Sequence, residues 1–83
     1  MRRQYKRFFQ AHQTGIIDFN DLCNILETLG FDNRINGSHH FYIKAGIIEI
    51  INLQPANGKA KPYQVKQVRK LLIKYKLIPP TNE

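Results

Sequence analysis

Apolar residues recur at helical spacing in two stretches of the chain, one in its first third and one towards its end. In the first stretch, Asp18 suits an N-cap, Asp21 lies in the first turn, and Gly30 marks the C-terminal end. In the second, Pro62 suits the first turn, and the helix is expected to reach about Leu77. The spacing therefore predicts two amphipathic helices. Their expected buried residues are Phe19, Leu22, Cys23, Leu26 and Leu29 in the first helix, and Val65, Val68, Leu71, Leu72 and Tyr75 in the second.

The stretch between these helices has the patterns of three β-strands. Residues 31–36 alternate weakly, residues 39–44 alternate more clearly, and residues 47–53 form a β-branched run. Asn36 and Gly37 form a dipeptide that is typical of hairpin turns. The order helix, three antiparallel strands, helix predicts an α+β fold in which the helices cover one face of a small sheet.

The two ends of the chain fall outside this pattern. Residues 1–13 are expected to form an additional short helix, which Thr14 and Gly15 interrupt. Pro79 and Pro80 are expected to end the last helix. We therefore divide the chain into a basic N-terminal segment, a domain and a C-terminal tail, which are residues 1–17, 18–78 and 79–83.

The charge of the chain narrows the class of partner. Thirteen Lys and Arg residues against six Asp and Glu residues give a formal net charge of +7, and no acidic residue lies between Ile50 and Asn82. This asymmetry favours a polyanionic partner, either nucleic acid or an acidic protein. Lys66, Lys70 and Lys74 lie four residues apart on the second helix and are expected to form its solvated face.

Cysteine content and hydropathy bear on the compartment. Cys23 is the only cysteine, which excludes an internal disulfide and favours a reducing compartment. No apolar run is long enough to cross a membrane, and the basic start of the chain has no apolar region of a secretory signal behind it. A domain of this size has too small a core for a deep cofactor pocket. We therefore expect a cytoplasmic protein that uses no membrane and no cofactor.

Two adjacent histidines, His39 and His40, follow the predicted turn and begin the second strand. Imidazole gains and loses protons near neutral pH. Lys59 and Lys61 stand just before a helix N-terminus, where phosphate binds readily. Acid-base side chains beside phosphate-binding charge indicate a protein that acts on nucleic acid. Adjacent strand residues point to opposite faces, so the two imidazoles are not expected to act as a matched pair.

The accessible imidazole is the one on the strand face that is not buried. His39 shares a face with Phe41 and Ile43, whereas His40 shares the other with Tyr42. If Phe41 and Ile43 face the core, His39 is the more inward histidine, unless its place at the start of the strand keeps it exposed. Phe41 and Tyr42 are also candidates for stacking on bases, although packing in the core explains Phe41 better. The strand pattern alone leaves His39 and His40 both open.

Four blocks of sequence carry a family resemblance over roughly residues 18–77. They are Leu29-Gly30-Phe31, Gly37-Ser38-His39-His40-Phe41, Ile51-Asn52-Leu53-Gln54-Pro55 and Gly58-Lys59-Ala60-Lys61-Pro62-Tyr63-Gln64-Val65. In this order they resemble the HicA (YcfA-like) toxin family. The resemblance implies a fold like that of double-stranded-RNA-binding domains. It also implies a toxin of a type II toxin–antitoxin system, an mRNA interferase that cuts mRNA independently of the ribosome and is neutralised by a HicB antitoxin. The family's functional histidine follows Gly-Ser at the start of the second strand, a position that His39 holds here.

The residues and the resemblance together lead to a scheme for RNA cleavage. The 2′-hydroxyl of RNA attacks the neighbouring phosphodiester, while the protein moves protons and stabilises the developing negative charge. The scheme requires no metal. A glycine lets the backbone approach RNA closely, and a serine hydroxyl can bond to a phosphate oxygen. The expected site residues are His39 as general acid or base, with His40 as the substitute candidate, and Gly37, Ser38, Lys59 and Lys61 as residues that bind RNA phosphate.

Two other interpretations compete with this scheme. A metal site built from His12, Cys23, His39 and His40 is not expected, because adjacent strand residues point opposite ways and no other ligand spacing fits. A non-catalytic RNA-binding module with the same fold is the alternative function. The intact Gly37-Ser38-His39 sequence argues against a decayed active site.

Overall fold

The computed structural model describes residues 17–78, and its elements follow the predicted order α-β-β-β-α. The α+β fold expected from the sequence is confirmed, with one three-stranded antiparallel sheet and two helices. The predicted N-terminal helix and the C-terminal tail lie outside the described residues. The elements are α1 (Phe19–Thr28), β1 (Asp32–Asn36), β2 (His39–Ile43), β3 (Ile51–Leu53) and α2 (Pro62–Lys74).

The sheet has the strand order β1-β2-β3, so β2 lies in the centre. Asn36 pairs with His39, and this register leaves Gly37 and Ser38 as a two-residue hairpin loop. Gly37 has a φ of 65°, a conformation that glycine adopts without strain, as the first position of such loops often requires. The predicted turn is therefore present, with Asn36 as the last residue of the strand before it.

The core of residues 17–78 lies between the two helices and one face of the sheet, which we call the inner face. Tyr42 of β2 and Leu53 of β3 are each 1% exposed, and they pack with the apolar faces of α1 and α2. The predicted helix positions enter this core, although Leu29, Leu71 and Tyr75 are only partly buried. The opposite face of the sheet, the outer face, is not covered by either helix. The buried apolar residues are Ile17, Phe19, Leu22, Cys23, Ile25, Leu26, Phe31, Tyr42, Ile51, Leu53, Ala60, Val65, Val68, Leu72 and Ile78.

β3 is shorter than the sequence predicts, because it begins at Ile51 and not at Ile47. Ile51 pairs with Tyr42, one residue before the end of β2. Residues before Ile50 therefore extend past the end of β2, whatever their β-branched character. Ile48 is accordingly 91% exposed.

Both helices end in the same hydrogen-bonding pattern, a Schellman motif. After α1, Gly30 N–H donates to Glu27 O and Phe31 N–H donates to Leu26 O, both at 3.0 Å. After α2, the corresponding bonds reach back from Lys76 and Leu77, and Lys76 has a φ of 59°. Gly30 is the predicted stop. The expected end of α2 near Leu77 is wrong. The helix ends at Lys74, and the chain turns away from its axis at Lys76, which has a left-handed conformation.

The start of α1 is attached to the loop that precedes α2. Asp18 holds the expected N-cap position, and its carboxylate forms an ion pair with Lys59. Phe19 N–H donates to Gly58 O at 3.0 Å, and Ala60 N–H donates to the carbonyl of the buried Ile17 at 2.9 Å. These backbone bonds fix the approach to α2 against α1. Within residues 17–78, no helix is long and apolar enough to cross a membrane.

Candidate nucleic-acid site

The two histidines of β2 lie on opposite faces of the sheet. Tyr42 is buried on the inner face, and its hydroxyl lies 3.4 Å from Glu27 Oε2. His40 shares that face and packs edge-on against Phe19, with ring centroids 4.8 Å apart. His39 is exposed on the outer face. The sequence left open that Phe41 and Ile43 face the core, which would turn His39 inward. They do not face the core, because Tyr42 holds the core position of this strand.

His39 has a defined partner on the neighbouring strand. Its Nδ1 lies 3.4 Å from Oδ1 of Asn52, a residue of β3. Because an amide oxygen only accepts, this contact favours the tautomer in which Nδ1 carries the proton. Nε2 is then the basic nitrogen, and it can accept a proton from a substrate. The contact turns an exposed imidazole into an oriented one.

Ser38, the residue before His39, is held by Gln54, which follows β3. Gln54 Nε2 donates to Ser38 Oγ at 3.1 Å, so the serine's own O–H is available to donate elsewhere. A Cβ added at Gly37 would meet no atom within 4 Å, so the tip of the hairpin is open. Gly37, Ser38 and His39 therefore form one accessible corner of the sheet.

Gln54 also joins this corner to α2. The buried Gln64 side chain, with its amide oriented to satisfy both groups, accepts from Gln54 N–H at 3.2 Å and donates to Gln54 O at 3.3 Å. Gln64 lies in the first turn of α2. The N-terminus of α2, the positive end of the helix dipole, is thereby held next to the strand that carries Asn52.

The two predicted phosphate-binding lysines lie at the approach to α2. Lys59 is exposed and forms an ion pair with Asp18. Surface ion pairs of this kind contribute little to stability, so a competing anion can replace Asp18 as the partner of Lys59. Lys61 precedes the first residue of α2, and its Nζ lies 6.0 Å from the ring centroid of Tyr63. No hydrogen bond or ion pair within residues 17–78 joins either lysine to His39. The structure places both lysines near the start of α2.

Phe41 does not pack in the core, contrary to the sequence-based interpretation. It is partly buried on the outer face, where its ring lies nearly parallel to that of His39 with centroids 6.1 Å apart. In the sheet register it stands between Arg34 of β1 and Asn52 of β3. The outer face therefore carries an aromatic, a cation and an amide in one row.

The titratable groups whose pKa is shifted by their surroundings are not part of the His39 corner. Burial raises the pKa of the Cys23 thiol and, still more, that of the Tyr42 hydroxyl, so both stay protonated at neutral pH. Cys23 is buried as expected. Lys66, Lys70 and Lys74 are exposed on α2 as expected, and Lys74 is paired with Glu49 at 2.8 Å. Within residues 17–78, no three His, Cys, Asp or Glu side chains are grouped as metal ligands would be.

Three residues of this site were not identified from the sequence: Asn52, Gln54 and Arg34. Asn52 and Gln54 belong to a block that resembles the HicA family, yet no local pattern assigns them a role. The register of β2 with β3 identifies them: His40 lies opposite Leu53, so the residues on either side of Leu53 lie next to His39. Arg34 stands opposite Phe41, and only the pairing of β1 with β2 reveals it.

Compared with known proteins, the chain matches no protein-family model, no curated protein and no solved structure. The resemblance to HicA toxins therefore rests on the sequence blocks themselves and stays a prediction.

Proposed function

We propose that this protein is an endoribonuclease, the toxin component of a type II toxin–antitoxin system, and that it cuts mRNA with His39 as general acid or base. The observation that carries the proposal is the oriented His39 imidazole. It lies on a sheet face that neither α1 nor α2 covers, with Nδ1 against Asn52 and the Ser38 hydroxyl next to it in the chain. The resemblance to HicA toxins points to the same histidine.

In the proposed reaction, Nε2 of His39 takes the proton of the RNA 2′-hydroxyl as the new O2′–P bond forms. The P–O5′ bond breaks, and a proton from the imidazolium or from water goes to O5′. The products are a 2′,3′-cyclic phosphate and a 5′-hydroxyl. His40 cannot serve as the second proton-transfer group at this phosphate, because its ring packs against Phe19 on the inner face.

Negative charge on the phosphorane requires nearby donors. The Ser38 hydroxyl is the donor closest to His39 in the chain, and its proton is not used by Gln54, which donates to it. Gly37 leaves the hairpin tip open for the phosphate to approach. Lys59 and Lys61, beside the α2 N-terminus, are proposed to bind phosphates of the RNA.

The remaining parts of the proposal follow the resemblance and the charge. A HicB-like antitoxin would neutralise the toxin, and the excess of basic over acidic residues suits both RNA and an acidic surface on such a partner. The proposed compartment is the cytoplasm, where mRNA is found. The scheme uses no cofactor.

The test is RNA cleavage in EDTA by the purified protein and by two matched variants, His39→Ala and His40→Ala. We expect wild type to cut RNA and leave a cyclic phosphate, and His39→Ala to lose at least about a hundredfold in rate, the usual contribution of a general acid or base. His40→Ala should retain activity when measured well below its melting temperature, since its ring packs against Phe19 and does not face RNA.

Each other outcome has a clear meaning. If wild type binds RNA and leaves it intact, the protein is the non-catalytic RNA-binding module. If His40→Ala is inactive while folded and His39→Ala is active, the site assignment is wrong and the nuclease function stands. Cleavage that stops in EDTA would contradict the metal-independent scheme.

A further inference from the structure

The outer face of the sheet is an open surface made of alternate strand residues. The inner positions of β2 are identified by Tyr42, which is 1% exposed, so Phe41 and its neighbours in register point away from the core. No residue of α1 or α2 covers this side. The outward positions are Asp32, Arg34 and Asn36 of β1, His39, Phe41 and Ile43 of β2, and Asn52 of β3.

Phe41 is the feature of this face that core packing does not explain. Large aromatic side chains are normally used in the core, where they bury the most apolar surface. Here the ring lies on the central strand of the uncovered face, two residues from His39 and nearly parallel to its imidazole, at an interplanar angle of 19°. A flat apolar surface is thus placed directly beside the proposed proton-transfer group.

The neighbours of Phe41 suit a nucleotide. Arg34 stands opposite it on β1, and a guanidinium can stack on a base or bind a phosphate. Asn52 stands opposite it on β3, with an amide that can bond to base edges as well as to His39. Aromatic rings bind bases without regard to sequence, because every base has a π-face.

We propose that Phe41 and Arg34 form a stacking subsite for an unpaired base next to the phosphate that is cut. This inference rests on the proposed function and adds to it the form of the substrate at the cleavage point. A base within a duplex is stacked on both sides by its neighbours and cannot lie on Phe41. RNA must therefore be single-stranded, or opened, where His39 acts.

The test uses a short 2′-O-methyl RNA, which lacks the nucleophilic hydroxyl and so stays intact, as a single strand and as a duplex with its complement. Wild type should bind the single strand more tightly than the duplex. Phe41→Leu should weaken single-strand binding by about tenfold and leave duplex binding unchanged, whereas Phe41→Tyr, which keeps the ring, should bind like wild type. Ile48→Ala is the control, because Ile48 is highly exposed in the loop before β3.

A second measurement does not depend on any variant. A 2-aminopurine base in the single strand should lose fluorescence when it stacks on the protein, and a strand carrying it in the duplex should not. Equal binding of single strand by wild type and folded Phe41→Leu would overturn the subsite, and it would leave cleavage by His39 untouched. If wild type cuts duplex as fast as single strand, the subsite is also wrong. Failure of wild type to bind any RNA contradicts the proposed function itself. Dimerisation that Phe41→Leu abolishes would overturn the subsite and make this face an interface between copies.

Discussion

At the scale of single residues, the contact between His39 and Asn52 separates a generic surface histidine from an oriented one. The imidazole is exposed and the amide oxygen lies 3.4 Å from Nδ1. On the proposed scheme, Asn52 is a positioning residue: it acts through His39 and holds Nε2 towards the RNA.

Substitution of Asn52 tests this role. Asn52→Ala should lower the cleavage rate at saturating RNA by about fivefold to tenfold, the usual effect of losing one hydrogen bond. Asn52→Asp should instead shift the pH–rate profile to higher pH, because a carboxylate beside the ring favours imidazolium. The measurement is initial rate against pH with a saturating RNA substrate. A profile that does not move in Asn52→Asp would assign Asn52 to packing alone.

The sequence predicted some of these residues and missed others for a physical reason. The Gly37-Ser38-His39 motif is contiguous, so a local pattern contains it. The facing of β2 is not local, because both phases of His39-His40-Phe41-Tyr42-Ile43 offer an aromatic for the core. Only the fit of Tyr42 against α1 decides between them, and that fit depends on tertiary packing. The same packing makes Asn52 a site residue, because it places Asn52 and His39 together on the outer face.

At the scale of elements, the helices were predicted well and their ends less well. Amphipathic spacing is a property of the segment itself, so α1 and α2 follow from the sequence. Gly30 ends α1 as expected, since glycine adopts a φ of 95° freely. Lys76 ends α2 in a conformation that lysine disfavours, and no sequence signal marks it. β3 was predicted too long, because strand propensity contains no information about where β2 ends.

The two helix ends make a matched pair of stability predictions. Lys76→Gly should raise the free energy of unfolding by about 1 kcal/mol, because a left-handed residue with a Cβ is strained. Gly30→Ala should lower it by about 1–2 kcal/mol for the same reason. The Cβ added by that substitution would also lie 2.7 Å from Lys44 Nζ, although that flexible end can move. Urea unfolding followed by circular dichroism measures both. A neutral Gly30→Ala would contradict the observed helix end.

At the scale of the whole molecule, one carboxylate links distant parts of the chain. Glu49, in the connection between β2 and β3, accepts from Lys74 Nζ at 2.8 Å and from Tyr75 Oη at 2.5 Å at the end of α2. These two hydrogen bonds, that from Lys74 foremost, lower the pKa of Glu49 from 4.5 to about 2. Sequence separation hides this contact from any local pattern.

The lowered pKa predicts how stability depends on acid. A carboxyl group whose pKa is depressed on folding stabilises the protein above its unfolded value, and this contribution is lost as pH falls from about 4.5 towards 2. Glu49→Gln should therefore melt below wild type at neutral pH, and the difference should shrink over that range. Lys74→Met, which removes the main cause of the shift, should behave similarly. Other carboxylates titrate in wild type and in both variants, so their effects cancel in the differences of melting temperature. A difference in melting temperature that stays constant down to pH 2 would contradict the assignment.

The separation of the two sheet faces has a consequence for how the protein can change. Alternate residues of β2 belong either to the core, like Tyr42, or to the open surface, like Phe41. Substitutions at exposed outer positions, such as Arg34 and Asn36, leave the buried packing intact, and surface changes of this kind usually alter stability by less than about 0.5 kcal/mol. Selection or engineering can therefore alter Arg34 and Asn36 beside the proposed site with little effect on folding. Target preference on such a scaffold can evolve rapidly while the fold persists.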